Sequence, residues 1–347
     1  MKEPTLTREP HFWGQLLMVG IPGPRVEEVA RGLVRDLRVG GIILFARNLE
    51  GPEQIWELTR ELQREAHAGA GRSLLIAMDQ EGGPVQRLKA PFTLIPPARE
   101  LGAQAGPRQV ELLARRVARE LRLVGINVNL APVLDVARGP DCPLWDRSYG
   151  PDPERVAALS VAAIRGFLAG GVIPVAKHFP GLGDTVIDSH EELALASSGN
   201  ASREQDLLPF RQGVAAGVPA IMTAHLLVPE WDSLPATLSP TILQQRLRRD
   251  LKFGGVIITD DLEMGAIARR LPAPQAAREA LGAGADLLLI CNNWQAPWET
   301  AKLLAGDTAL APRGREAAAR IKRLREHASL GAGDLKAVKD YFFSRKA

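Results

Sequence analysis

Short apolar runs recur along the chain, and longer amphipathic stretches separate them. Leu16 to Gly20, Gly41-Ile42-Ile43-Leu44-Phe45, Leu74-Leu75-Ile76-Ala77-Met78 and Ile126-Asn127-Val128-Asn129-Leu130 read as strands. So do Val172 to Ala176, Ala220-Ile221-Met222-Thr223, Gly255 to Thr259 and Ala285 to Ile290. Between them the period changes. Ile55, Leu58, Thr59 and Leu62 fall at i, i+3, i+4 and i+7, which is one face of a helix. Arg25 to Leu37 and Gln109 to Leu123 read as further helices. Asp152-Pro153 predicts an N-cap followed by a proline at the first helical position, with a stop at Gly170-Gly171. Ser202 and Gln205 predict a capping box ahead of another helix, and Ser239-Pro240 a further helix start.

Strands alternating with helices predict βα units and a parallel sheet, about eight units in all. A closed barrel and a doubly wound open sheet both satisfy that pattern. Polar residues follow nearly every strand, whereas an open sheet concentrates its site at one switch point, so the α/β class resolves to a (β/α)8 TIM-type barrel. No linker or low-complexity segment interrupts the pattern. The expectation is one barrel domain over residues 1–347, with no second domain and with a basic C-terminal helix at about 313–330 packing on the barrel or closing one end.

Composition narrows the function classes. Of 347 residues, 46% are hydrophobic and 24% charged, the profile of a globular protein with a sizeable core. The net charge of +3 is small, and no basic run is interleaved with aromatics, which argues against nucleic acid as a partner. Cys142 and Cys291 lie far apart and predict two buried free thiols. The first residues, Met1-Lys2-Glu3-Pro4-Thr5, lack the apolar core of a signal peptide. No apolar stretch reaches about 18 residues, so no membrane span is expected and a cytoplasmic location is the default. The sequence leaves the oligomeric state open, with a monomer as the default.

In a barrel of this kind the chemistry sits where strands end and loops begin. Asp79-Gln80-Glu81-Gly82-Gly83, Asp135, Lys177-His178, His225, Asp260-Asp261 and Asn292-Asn293 occupy those positions. Asp260, directly after Gly255-Val256-Ile257-Ile258-Thr259, places a carboxylate in the barrel mouth, suited to attacking an electrophilic carbon or stabilising a cation. Asp261 is expected to point the other way and cap the next helix, because neighbours in a strand alternate. Asp188 and His190 are two apart on a loop rich in glycine, beginning Gly181-Leu182-Gly183. That spacing lets the carboxylate fix the imidazole as an oriented acid/base group, the alternative being a hydrogen bond that only stabilises the loop. Metal binding by His178, Asp188, His190 and His225 is disfavoured. No histidine pair has the helical spacing of a zinc protease, and Lys177 would set a cation against the metal.

The segment Lys177 to His190, with Asp79-Gln80-Glu81-Gly82-Gly83-Pro84-Val85-Gln86-Arg87 and Ile258-Thr259-Asp260-Asp261-Leu262-Glu263-Met264, resembles glycoside hydrolase family 3, and within it the β-N-acetylglucosaminidase branch. Asp146-Arg147-Ser148-Tyr149-Gly150 and Asp206-Leu207-Leu208-Pro209-Phe210 add to the match, which runs from about Gly14 to Gly265. The resemblance implies Asp260 as nucleophile, His190 as acid/base and Asp188 as its partner. It implies Asp79, Arg147, Lys177 and His178 as residues holding sugar hydroxyls, and Met222 as lining the sugar site. The implied substrate is a small carbohydrate, terminal β-linked N-acetylglucosamine as on peptidoglycan fragments, with no metal or organic cofactor. Leu182 and Pro84 stand where the branch has His and Arg, which bears on loop position and substrate preference. Two other activities of the same family, β-glucosidase and phosphorylase, remain alternatives, as does a sugar-binding barrel that has lost catalysis.

Overall fold

The computed structural model describes residues 7–187, 191–196, 199–327 and 333–344. Each of the eight apolar runs forms a strand of one parallel sheet: β1 Leu17–Val19, β2 Gly41–Leu44, β3 Leu75–Met78, β4 Val128–Asn129, β5 Ile173–Phe179, β6 Ala220–Thr223, β7 Val256–Ile258 and β8 Leu288–Ile290. Pairing runs β7-β6-β5-β4-β3-β2-β1-β8. A parallel bridge from Ile258 to Leu287 joins β7 to β8, so the ring closes as the expected barrel. The strand residues are buried because helices cover the outer face and side chains fill the inner one.

Two polar residues inside a strand run have a structural task. The Asn127 amide accepts from the Ile76 N–H at 2.7 Å and donates to the Leu74 carbonyl at 3.0 Å. Asn129 does the same with Gln80, accepting from its N–H and donating to its carbonyl, both at 3.0 Å. Side-chain amides thus extend the β3–β4 ladder where β4 itself is short.

The helices follow their sequence signals with instructive shifts. The helix Pro52–Ala70 buries Ile55, Leu58, Thr59 and Leu62, the predicted face. Asp152 caps Pro153–Ala169, accepting from the Glu154 N–H at 3.1 Å. The Ser239 hydroxyl accepts from the Ile242 N–H at 3.0 Å and opens the helix Thr241–Asp250. The capping box at Ser202 and Gln205 does not form, because the helix Asn200–Ala215 begins earlier, with Gly199 at its N-cap, and carries both residues inside it. Near the C-terminus a helix spans Ala311–His327 and a second Leu335–Phe343. No helix among the described residues is long and apolar enough to cross a membrane.

Candidate active site

At the C-terminal ends of the strands lies a cavity of about 320 Å³. Asp260, Asp79, Arg147, Lys177, His178 and Met222 all line it, six positions separated by up to 181 residues in the chain. Asp188 and His190 lie outside the described residues.

Asp260 follows β7 and accepts a hydrogen bond from the Asp261 N–H at 2.8 Å. Burial opposes its ionisation, but the His178 and His225 imidazoles, that N–H and the Lys177 ammonium outweigh it and hold the carboxyl below the usual carboxylate range. The group is therefore an anion at the cavity wall, the state a nucleophile or a cation stabiliser needs. His225 acts from behind. Its Nε2 donates to the Asp261 carbonyl at 2.9 Å, and its Nδ1 sits 2.8 Å from the Thr237 hydroxyl. The Asp261 backbone, whose N–H donates to Asp260, is thereby tied at its carbonyl to the segment just after β6.

One wall is an ion-pair network. Lys177 Nζ lies 2.8 Å from Asp79 Oδ1 and 2.6 Å from Glu81 Oε1. Arg147 presents its fork to Glu81, with two N–H···O bonds of 2.8 Å each. Burial works against the Glu81 anion, but Lys177 and Arg147 bring its pKa down to about 2. Burial likewise disfavours the Lys177 cation, and Asp79 with Glu81 reverses that and keeps it charged. The donors and acceptors facing the cavity are thus locked in place before any ligand arrives.

Lys177 and His178 are adjacent yet share the cavity, at the point where the β5–β6 register shifts between Ala176 and Phe179. Asp135, fully buried after β4, holds this corner. Its Oδ2 accepts from the His178 N–H at 3.1 Å and lies 2.7 Å from His178 Nδ1. Its Oδ1 accepts from the Leu182 N–H at 2.6 Å. Leu182 is buried in the core rather than set on the loop surface, and Pro84 is exposed and does not line the cavity. Two glycines let the segment after β5 run this close. Gly181 has φ of 119°, and a Cβ on Gly183 would meet the Val136 carbonyl at 2.0 Å.

Asp261 departs from expectation. β7 ends at Ile258, so strand alternation no longer applies, and Asp261 lines the same cavity as Asp260. It caps a local turn by accepting from the Glu263 N–H at 3.1 Å, while the short helix Gly265–Ala268 has Met264 at its N-cap. Burial, with the Glu263 and Asp260 carboxylates beside it, pushes its pKa up to about 7.

The sequence reading placed Glu81, Asp135 and Asn292 at strand ends without giving them a role, and it did not count Arg87 or Phe45 among those positions. Glu81 and Arg87 stood inside a motif already singled out, and Asp135 at a strand end. Phe45 had no polar signal at all. Asn293, by contrast, caps the helix Ala296–Gly306, accepting from the Gln295 and Ala296 N–H groups at 3.0 and 3.2 Å.

Residues 12–327 match the family model described as the glycosyl hydrolase family 3 N terminal domain. The chain belongs to glycosyl hydrolase family 3. A curated relative from Alkalilimnicola ehrlichii, a beta-hexosaminidase, is 39% identical over 287 residues, covering 81% of each chain. The family 3 beta-N-acetylglucosaminidase from a Paenibacillus species superposes with a TM-score of 0.89 at 39% identity, over 92% of this chain and 62% of that one. NagZ from Neisseria gonorrhoeae, solved in complex with N-trifluoroacetyl-D-glucosamine, gives 0.77 at 32% identity, over 94% of this chain and 96% of that one. This family 3 protein is a glycoside hydrolase of the β-N-acetylhexosaminidase type, acting on small carbohydrates.

Proposed function

We propose that this chain is a retaining exo-β-N-acetylglucosaminidase that removes terminal β-linked N-acetylglucosamine from peptidoglycan fragments, in the cytoplasm and as a single barrel unit. The observation that carries this reading is the Asp260 carboxylate, held ionised in a cavity one wall of which is a pre-paired network of Asp79, Glu81, Arg147 and Lys177. Asp260 attacks the anomeric carbon as the bond to the leaving oxygen breaks, forming a glycosyl ester. His190, oriented by Asp188, gives its proton to that oxygen and then takes one from the water that cleaves the ester. Asp79, Arg147, Lys177 and His178 hold the sugar hydroxyls, and Met222 packs against the ring. A histidine titrates near neutral pH, which suits it to both halves of this cycle.

A 2-fluoro sugar with a good leaving group is expected to trap an adduct on the peptide containing Asp260. Asp260→Ala is expected to abolish turnover of nitrophenyl β-N-acetylglucosaminide. His190→Ala is expected to lose about 10²–10⁴-fold on a poor leaving group and far less on a good one. An adduct elsewhere, or equal losses on both leaving groups, would remove these roles. Phosphate dependence of turnover would replace hydrolysis by phosphorolysis.

A second reading rests on Asp261. Two carboxyls in one cavity whose pKa values are driven apart form an acid and an anion at neutral pH. In that scheme the substrate's own acetamide attacks, Asp261 protonates the leaving oxygen and Asp260 orients the amide. No adduct forms, and Asp261→Asn instead of His190→Ala shows the leaving-group dependence.

A further inference from the structure

Beside the catalytic mouth, a groove of about 450 Å³ opens between the helical segment after β1 and the helix after β8. Its apolar lining is Trp294, Trp298 and Val29, exposed at 36%, 36% and 40%. Large apolar side chains left in water together mark a surface that meets something. Around them stand polar groups, the carboxylates of Glu28 and Asp36, the guanidinium of Arg31 and the amide of Gln295. No ordinary core contact needs that mixture. It suits a ligand with flat apolar faces and hydroxyl or amide edges, and a pyranose with equatorial substituents is such a ligand. Its C–H faces stack on indoles and its edges take hydrogen bonds.

The groove adjoins the site already described along the chain, with one residue, Asn293, between their linings. Cys291 and Asn292 line the catalytic cavity, while Trp294 and Gln295 line the groove, all on one turn after β8. That turn is fixed. Glu263 accepts from the Cys291, Asn292 and Asn293 N–H groups at 2.8, 2.6 and 2.9 Å, and Arg47 donates to Asn292 Oδ1 at 3.1 Å. Trp298, one turn along the helix Ala296–Gly306, lies against the backbone opposite at Gly32, where an added Cβ would meet its ring at 3.7 Å. The two indoles are therefore carried on a rigid extension of the cavity wall.

We infer that the Trp294–Trp298 groove is a saccharide subsite, which binds the remote sugar units of a β-linked N-acetylhexosamine chain whose terminal unit occupies the catalytic cavity. This rests on the substrate class proposed above. The test compares p-nitrophenyl β-N-acetylglucosaminide, which reaches only the cavity, with N-acetylchitotetraose, which extends beyond it. Trp298→Ala and Trp294→Ala are expected to leave the first substrate unchanged and to lower kcat/KM on the second about tenfold, through KM, as loss of one well-packed aromatic contact would. Trp298→Phe, which keeps a stacking face, is expected to recover most of that loss. Equal losses on both substrates mean a structural role and overturn the inference, as does no loss on either. If wild-type protein fails on the nitrophenyl sugar, the proposed activity falls. Calorimetric titration of the Asp260→Ala chain with the tetrasaccharide then tests the groove separately, weaker binding by the added Trp298→Ala change supporting it and equal binding overturning it. A concentration-dependent dimer that the tryptophan variants lose, with unaltered tetrasaccharide kinetics, assigns the face to a second copy and also overturns it.

Discussion

At the scale of single residues, the candidate site sets neighbouring carboxyls in opposite electrostatic surroundings. Asp260 and Asp261 share one cavity, yet the first has imidazoles and an ammonium beside it, while burial and two carboxylates act on the second. The Asp261 shift has a consequence for stability. Its ordinary pKa of 3.8 rises to about 7 in the folded chain, so between those values the native state holds a proton that the unfolded state has released. Stability from this group therefore falls as pH rises through that window. Asp261→Asn lacks the effect. Its melting temperature minus that of the wild type is expected to grow from about pH 4 to about pH 7 and then level off, as thermal unfolding across pH will show. A flat difference would mean that Asp261 is ionised throughout. The residue is also a lesson in reading sequence. Alternation placed its side chain away from Asp260, and it failed because β7 stops two residues short of Asp260.

At the scale of elements, the eight strands were legible because runs buried on both faces need no partner information to be recognised. Their ends were less so. A cap is legible when a local hydrogen bond decides it, as at Asp152 and Ser239. It is not when the chain beyond the cap is shaped by tertiary contacts, as before Asn200. The turn after β8 depends on such a contact. Glu263, from the loop after β7, supplies the acceptor for three successive N–H groups that nothing local would satisfy. Glu263→Ala is expected to cost about 1–3 kcal/mol in chemical denaturation, chiefly by leaving the N–H of buried Cys291 without its acceptor. The same variant is expected to raise KM, because Asn292 is carried on that turn. A variant as stable as wild type, with unaltered KM, would show that the turn holds itself.

At the scale of the molecule, the barrel separates function from stability between its two ends. Opposite the cavity, fully buried Asp286 lies just before β8. Arg248 reaches its Oδ2 at 2.5 Å, and Arg320 its Oδ1 at 3.1 Å. Arg313 also bonds to Oδ1, and the Ile257 N–H donates to Oδ2 at 2.9 Å. One carboxylate thus gathers the helices Thr241–Asp250 and Ala311–His327 against the sheet. Asp286→Ala removes the buried carboxylate that three arginines share, leaving Arg313 and Arg320 only the exposed Glu316, and is expected to destabilise by about 3–5 kcal/mol, measured by denaturant unfolding. Its KM on a nitrophenyl sugar is expected to stay near wild type. A catalytic defect without loss of stability would contradict this division. The sequence by itself determined the barrel, the strands and the identity of the residues at the strand ends, because burial and chain direction are written in local periodicity and motif. Only the tertiary structure decided which of those residues meet. It turned Asp261 into the cavity, set Glu81 between Arg147 and Lys177, placed Asp135 under His178 and laid two indoles beside the mouth. Each of those facts depends on distances between segments far apart in the chain, and local periodicity carries no such distance.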